Sequence, residues 1–414
     1  MSILIKGAVI VDSQSKHHLQ KMDILIEKGI ITQIKKKITN TATKTIDGKN
    51  LHCSTGWADL HSEFNDPGYE FKEDLRTGAA AAKNGGFSTV VVSANNFPVT
   101  DTKAQLNYIS TQSQSLPIEI KSFATLSEGR KGKNFGELYD LNLAGAVGFS
   151  DGHQPIENPD LLRRTLLYVK TFNGKVISYP SDARISHHGV MHEGKMSTSL
   201  GLKSDPSLSE EIMVARDIAV AEYTDSPIHF MTISTAGAVD QIKRAKKRGL
   251  QVTCDVAIAN LVWNDTALVN FDSNYKVTPP LRSEKDRKAL IKGVKDGVID
   301  CIVTNHSPQN IEEKHCEFDL ASFGQSSIET AYSLYQTYLS SQIDITTWVK
   351  AISTNTRHLF KLGSYQINEG QKVNLTIFDT QKEWNVKVSD LKSKSKNSVV
   401  IGKTLTGKVI DVIC

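Results

Sequence analysis

The chain has 414 residues, 39% hydrophobic and 23% charged, and carries a formal net charge of +4 at pH 7. Spread over this length, that charge gives no case for nucleic-acid binding, and Lys35-Lys36-Lys37 and the basic run 243–248 read as solvated faces. No run approaches the roughly 18 apolar residues of a membrane span, and the opening MSILIKGAVIVD lacks the apolar core and cleavage site of a signal peptide, so a cytoplasmic protein is expected.

Residues 1–52 are short alternating apolar runs broken by turn residues: ILIKGAVIVD, KMDILIEKGIITQI and TKTIDG. From 53 to 365 strands and helices alternate. Apolar strands are predicted at 56–60, 89–94, 119–124, 146–150, 175–179, 228–233, 251–257 and 300–304. Helical patterns fall between them at 73–83, 159–172, 209–223, 237–248 and 284–295, with Ser209 as the expected cap of its helix ahead of Glu210 and Glu211. Strand texture returns over 366–414 in QKVNLTIFD, EWNVKV and SVVIGKTLTGKVIDVI. The two ends predict one composite β-sandwich built from 1–52 and 366–414. Eight βα units between them predict a (β/α)8 TIM barrel over 53–365. A doubly wound open sheet is the competing topology, but no glycine-rich dinucleotide turn is present. Five cysteines, odd in number and without CxxC spacing, fit a reducing compartment.

Barrel chemistry lies at the C-terminal ends of the strands. The first strand runs out into His61-Ser62-Glu63, an HxH-like spacing with a carboxylate in second place, and a period of two puts His61 and Glu63 on one face. The second ends at Asn95-Asn96 and the fourth at Asp151. The fifth ends at Tyr179, the sixth carries His229 and Thr232, and the eighth ends at Asn305-His306. His61, Glu63 and Asp151 are the candidate metal ligands, one imidazole and two carboxylates. Asn95 and His306 are the candidate substrate-binding side chains.

Several longer stretches identify a family. They are Asp66-Pro67-Gly68 with Lys72-Glu73-Asp74, the run 85–90 (GGFSTV), 194–202 (GKMSTSLGL), 211–217 (EIMVARD) and Pro279-Pro280-Leu281-Arg282-Ser283. Through them the chain resembles the dihydroorotases of the amidohydrolase superfamily, the class I type found in many bacteria, over nearly its whole length. The resemblance implies a barrel holding a binuclear zinc site that hydrolyses dihydroorotate to carbamoyl aspartate in pyrimidine biosynthesis. It also implies where the family's residues fall. The HxH pair is His61 and Glu63, and the bridging carboxylate is Asp151. The two further histidine ligands are Tyr179 and Thr232, and the catalytic aspartate is Asn305. The arginine that grips the substrate carboxylate is Asn65, and the asparagine before the double proline is Thr278. Asn95 and His306 are the retained pocket positions.

These departures remove chemistry. An asparagine amide at 305 does not titrate, so it cannot shuttle a proton to a leaving nitrogen. Asn65 offers no bidentate fork to a carboxylate. The expectation is therefore a dihydroorotase-like, non-catalytic homologue with no cofactor, acting as a scaffold or regulatory partner. The resemblance implies aspartate carbamoyltransferase as that partner, and a homodimer. The alternative is an active dihydroorotase or related cyclic amidohydrolase with zinc on His61, Glu63 and Asp151. A third reading is a sensor that binds a small molecule through Asn95 and His306 without turnover.

Structural roles are open for the same residues. His61 is also readable as a mouth residue hydrogen-bonded to Asp151 or Glu63, and Asp151 as the anchor of a loop. His187, His188 and His192 read as exposed loop histidines. His229, facing away from position 232 by strand alternation, reads as a packed core histidine, and Cys254 and Cys301 as buried small hydrophobes.

Overall fold

Alternation of apolar and polar residues sets the β layer at the N-terminus, where the computed structural model, which describes residues 2–40 and 42–414, places five strands. They are β1 (Ser2–Val11), β2 (Lys21–Glu27), β3 (Ile30–Lys35), β4 (Lys44–Asp47) and β5 (Leu51–Thr55). The barrel follows with β6 (Trp57–Ser62), α1 (Leu75–Gly85), β7 (Phe87–Val92), β8 (Glu119–Ser122), α2 (Pro159–Lys170) and β9 (Val176–Ser178). It continues with α3 (Ser207–Thr224), β10 (Ile228–Phe230), α4 (Ala236–Lys247), β11 (Val252–Ala257), α5 (Glu284–Lys295) and β12 (Cys301–Val303). The chain closes with β13 (Leu375–Asn385) and β14 (Thr404–Ile413).

Both termini meet in one hydrogen-bonded layer. Seven strands run in the order β14-β13-β5-β1-β2-β3, with β4 parallel to β1. Ile5, Ile10, Ile24, Ile26, Leu51 and Ile377 form the buried face of that layer.

The barrel closes by parallel pairing. β6, β7 and β8 pair in sequence, and β9, β10, β11 and β12 do the same. Parallel bridges Ala124–Phe149 and Phe149–Val176 join the two groups, and a bridge Ser62–His306 closes the ring. The fourth strand, predicted over 146–150, is thus reduced to bridges at Phe149.

Helix bounds follow the predicted patterns closely, and local chemistry explains them. Asp74 caps α1 by accepting from the Thr77 amide at 2.8 Å, and Asn158 caps α2 ahead of Pro159. Ser209 is not the cap of α3. The helix already starts at Ser207, and Ser209 Oγ instead donates to Asp205 Oδ1 at 2.6 Å.

Trp57, the first residue of the barrel, locks barrel and β layer together. It is fully buried and lies edge-on to Trp348 and Phe87, 5.5 Å from Phe378 of β13. Its indole donates to Ser54 Oγ at 3.0 Å, so the polar edge is satisfied. Among the described residues no helix is long and apolar enough to cross a membrane.

Candidate site at the barrel mouth

A register shift in β6 between Asp59 and Ser62 interrupts the alternation on which the HxH-like reading depended. His61 and Glu63 consequently serve different neighbours. His61 Nε2 donates to Asp255 Oδ2 of β11 at 2.6 Å and is 3% exposed. Glu63 Oε1 accepts from Asn95 Nδ2 at 2.7 Å, and its Oε2 accepts from Ser307 Oγ at 2.5 Å.

Asp151 is turned away from both. Its Oδ1 accepts from the amides of Leu126 and Ser127 at 2.9 and 3.0 Å, and its Oδ2 accepts from Ser127 Oγ at 2.5 Å. Burial holds its pKa up, opposed by those hydrogen bonds. Asp151 therefore anchors the 126–127 turn.

Among the described residues, the group of three metal-capable side chains with ligand atoms all within 4.8 Å of one another is His61, His229 and Asp255. The expected trio of His61, Glu63 and Asp151 does not converge in this way. The two other implied ligand positions bring no metal donor. Tyr179 shares a 2.9 Å hydrogen bond with Thr278 Oγ1, and burial pushes its phenol well above the usual range. Thr232 is 1% exposed and its Oγ1 has no hydrogen-bond partner among the described residues. A neutral phenol and a neutral hydroxyl are poor zinc ligands, so this donor set does not fit the binuclear zinc centre implied by the resemblance.

The binding positions also differ from expectation. Asn95 holds Glu63, so its amide serves the mouth's internal network. His306 is 0% exposed and faces away from the mouth, because closing the barrel uses its backbone against β6. Its Nδ1 accepts from the Ser327 amide at 3.2 Å, and its Nε2 lies 3.7 Å from Glu73 Oε2 beside α1. Asn305 Nδ2 donates to the Thr278 carbonyl at 2.9 Å, which fixes the amide in a structural bond. Asn65 is 7% exposed, and its side chain donates to its near neighbour, the Glu63 carbonyl, at 3.4 Å.

Backbone geometry is unusual at three of these places. Asn65, Thr232 and Asn305 have φ of 58°, 48° and 49°, in the left-handed region. Asparagine tolerates it, but a β-branched threonine there is an outlier of about 1–3 kcal/mol.

The mouth opens into a cavity of about 630 Å³ lined in part by Arg130, His153, Tyr179, Ser181, His188 and Thr278. Arg130 donates through Nε and Nη2 to the Asp151 carbonyl at 3.0 and 2.8 Å, which leaves its charge without a carboxylate partner of its own. His153 packs edge-on against Tyr179 at 5.1 Å, and its enclosed Nε2 has no partner among the described residues. Burial brings its pKa down to about 4, so the imidazole is neutral near pH 7. Of the three acids that line the cavity, Asp205 is paired with Arg282 at 3.1 Å, Asp151 faces the 126–127 turn, and Glu157 is exposed at the rim. Arg130 and Lys131 thus give one side of the cavity a positive charge that can receive the carboxylate of a small molecule.

His153 and Arg130 were not among the sequence candidates. His153 lies two residues beyond Asp151 and belongs to no implied motif. Arg130 ends a single 3-10 turn, Glu128–Arg130, 21 residues from the carbonyl it holds. His187 and His188 are exposed and His192 is half-buried, as the loop reading expected for the first two. His229 is indeed in the core, but its Nε2 donates to Asp255 Oδ2 at 2.9 Å. Cys254 and Cys301 are fully buried.

The same assignment emerges from whole-chain comparison. Residues 53–238 match a family model described as Dihydro-orotase-like. A dihydroorotase from Acetivibrio thermocellus is 40% identical over 410 residues, covering 98% of this chain and 96% of that protein. The chain belongs to the dihydroorotase family. A dihydroorotase from Ruminiclostridium cellulolyticum is 37% identical over 412 residues, with 99% of this chain and 96% of that protein covered. Among solved structures, the L-hydantoinase from Arthrobacter aurescens superposes with a TM-score of 0.87 at 19% identity, covering 99% of this chain and 94% of that one. The dihydropyrimidinase from Brevibacillus agri gives 0.83 at 20% identity, covering 100% and 94%. At those identities the two structures establish the amidohydrolase barrel fold alone. This dihydroorotase-family chain keeps that fold while its side chains at 63, 179, 232 and 305 depart from the ligand and base types implied by the resemblance.

Proposed function

We propose that this chain is a dihydroorotase-type protein of pyrimidine biosynthesis that binds a small carboxylate-bearing ligand, dihydroorotate or carbamoyl aspartate, at the barrel mouth without turning it over. The observation that carries this reading is the cavity ringed by Arg130, His153, Tyr179 and Thr278, beside an Asn305 whose amide is tied to the Thr278 carbonyl. Arg130 supplies a charge for the ligand carboxylate, and a charge-assisted hydrogen bond of this kind contributes about 1.5–3 kcal/mol. Asn305 supplies no proton, and the loss of such a general acid–base group lowers a rate by about 10²–10⁴. The scaffold or regulatory role, with aspartate carbamoyltransferase as partner and a homodimer as the assembly, is part of this proposal and rests on the family resemblance.

The second reading is an active dihydroorotase or related cyclic amidohydrolase. The full-length identity to proteins named dihydroorotase favours it. His153 is an enclosed imidazole at the mouth that could serve such a reaction, although one with pKa near 4 is a weak base at neutral pH.

One experiment separates the two. The full chain is titrated calorimetrically with dihydroorotate and with carbamoyl aspartate, and ring opening is followed by absorbance with and without added zinc. Binding without turnover supports the first reading. Zinc-dependent turnover overturns it in favour of the second, and no binding of either compound overturns both. Co-purification with aspartate carbamoyltransferase tests the partner separately, and its absence rejects the scaffold.

A further inference from the structure

We propose that His61, His229 and Asp255 hold one divalent transition-metal ion, of the zinc type, inside the barrel and below the mouth. The three ligand atoms come from β6, β10 and β11 and converge without help from the 126–127 turn or Glu63. His61 Nε2 and His229 Nε2 lie 2.6 and 2.9 Å from the same oxygen, Asp255 Oδ2. None of the three residues is more than 3% exposed. Two imidazoles and one carboxylate are a zinc donor set, with a tetrahedral ion leaving one position for water. Ligand bonds of about 2.0–2.1 Å place tetrahedral donors about 3.3–3.4 Å apart, so the cluster needs to widen by roughly half an ångström to admit the ion.

The surroundings are those of ligands already oriented. His229 Nδ1 lies 2.8 Å from Thr253 Oγ1. Without metal, both imidazoles carry their proton on Nε2 to reach the carboxylate, and the Thr253 hydroxyl donates to His229 Nδ1. With metal on Nε2, the His229 proton moves to Nδ1 and the same hydroxyl accepts it. One hydroxyl therefore satisfies His229 in either state. Asp255 Oδ1 is fixed by the Thr232 amide at 2.7 Å, which leaves Oδ2 for the ion. Thr232 also carries the buried Oγ1 that lacks a partner among the described residues, an unsatisfied polar group on the residue that holds the carboxylate. Phe123 packs tilted against His61 and Phe360 edge-to-face with His229, at centroid distances of 5.8 and 5.0 Å.

The proposal does not depend on the function proposed above, because none of the three ligands lines the mouth cavity. The test uses full-length protein, stripped with chelator, reloaded with zinc chloride and exchanged into metal-free buffer. Elemental analysis is expected to find about one zinc per chain. X-ray absorption of the loaded protein is expected to fit two imidazole scatterers, and His229→Gln is expected to lose at least tenfold in zinc affinity while Glu63→Gln keeps it. No retained zinc in the unaltered protein overturns the proposal. So does a single-imidazole shell, which is what His61, Glu63 and Asp151 would give. Because the absorption spectrum needs no variant, misfolding of His229→Gln does not remove the test.

Discussion

Asp255 Oδ2 accepts from His61 Nε2 at 2.6 Å and from His229 Nε2 at 2.9 Å, which ties the first, sixth and seventh strands of the barrel at one atom. Burial alone would push the Asp255 carboxyl up, but the two histidines override it and hold it far below the usual carboxylate range. In metal-free protein, Asp255→Asn is expected to cost about 3–5 kcal/mol, because it leaves two imidazole donors in a dry interior facing a weakened acceptor. Urea unfolding of chelator-treated protein measures this. A loss below about 1 kcal/mol would show that the carboxylate does not tie the strands.

That cluster also marks the limit of what the sequence revealed. The βα alternation and the strand-rich ends were legible because burial imposes a period on each element. Side-chain partnership was not legible. Reading His61 with Glu63 relied on an unbroken period of two, and the register shift in β6 breaks it. Asp255 was visible as the one acid in an apolar strand, VTCDVA, yet only the closed ring shows that it faces His61 across the barrel. His306 was misplaced for a related reason. It sits at a strand end, but the bridge that closes the ring turns its imidazole toward Ser327 and Glu73.

Restoring an acid at position 305 is not expected to restore a reaction. Asn305 Nδ2 donates to the Thr278 carbonyl at 2.9 Å, and an aspartate there would set a carboxylate oxygen against that carbonyl. Asn305→Asp should lose about 1–3 kcal/mol of stability by urea unfolding and gain no ring-opening activity on dihydroorotate. Measurable zinc-dependent turnover in Asn305→Asp would show that the other departures do not disable the site.

The join between β5 and β6 should tolerate no side chain. A Cβ on Gly56 would lie 1.9 Å from Asn374 Oδ1 and 2.2 Å from Ser88 Oγ. Its carbonyl already accepts from Ser353 Oγ and Arg357 Nε, both at 2.9 Å, so the backbone has little room to move. Gly56→Ala is expected to destabilise by about 1–3 kcal/mol or more. Gly136→Ala, which meets nothing within 4 Å, serves as the near-neutral control. Equal urea midpoints for the two variants would contradict the close approach.

His153 gives the pH dependence a direction. Its unfolded-state pKa is about 6.5, and burial lowers the folded-state value to about 4. Sign follows from proton counts. Above pH 6.5 neither state binds the proton. Between 6.5 and 4 the unfolded chain takes it up and the folded chain does not, so stability falls on acidification. The gap sets an upper bound of about 3 kcal/mol on this contribution, reached near pH 4. His229 and His192, both also lowered by burial, add losses of the same sign. His153→Phe keeps the edge-on packing against Tyr179 and removes the titrating nitrogen. Urea unfolding at about pH 7.5, 6.5, 5.5, 4.5 and 3.5, a range that spans both pKa values, should show the variant losing less stability than the unaltered chain across that window. Parallel stability curves for the two proteins would mean that His153 takes up its proton in the folded state and that the mouth is wetter than its enclosed Nε2 implies.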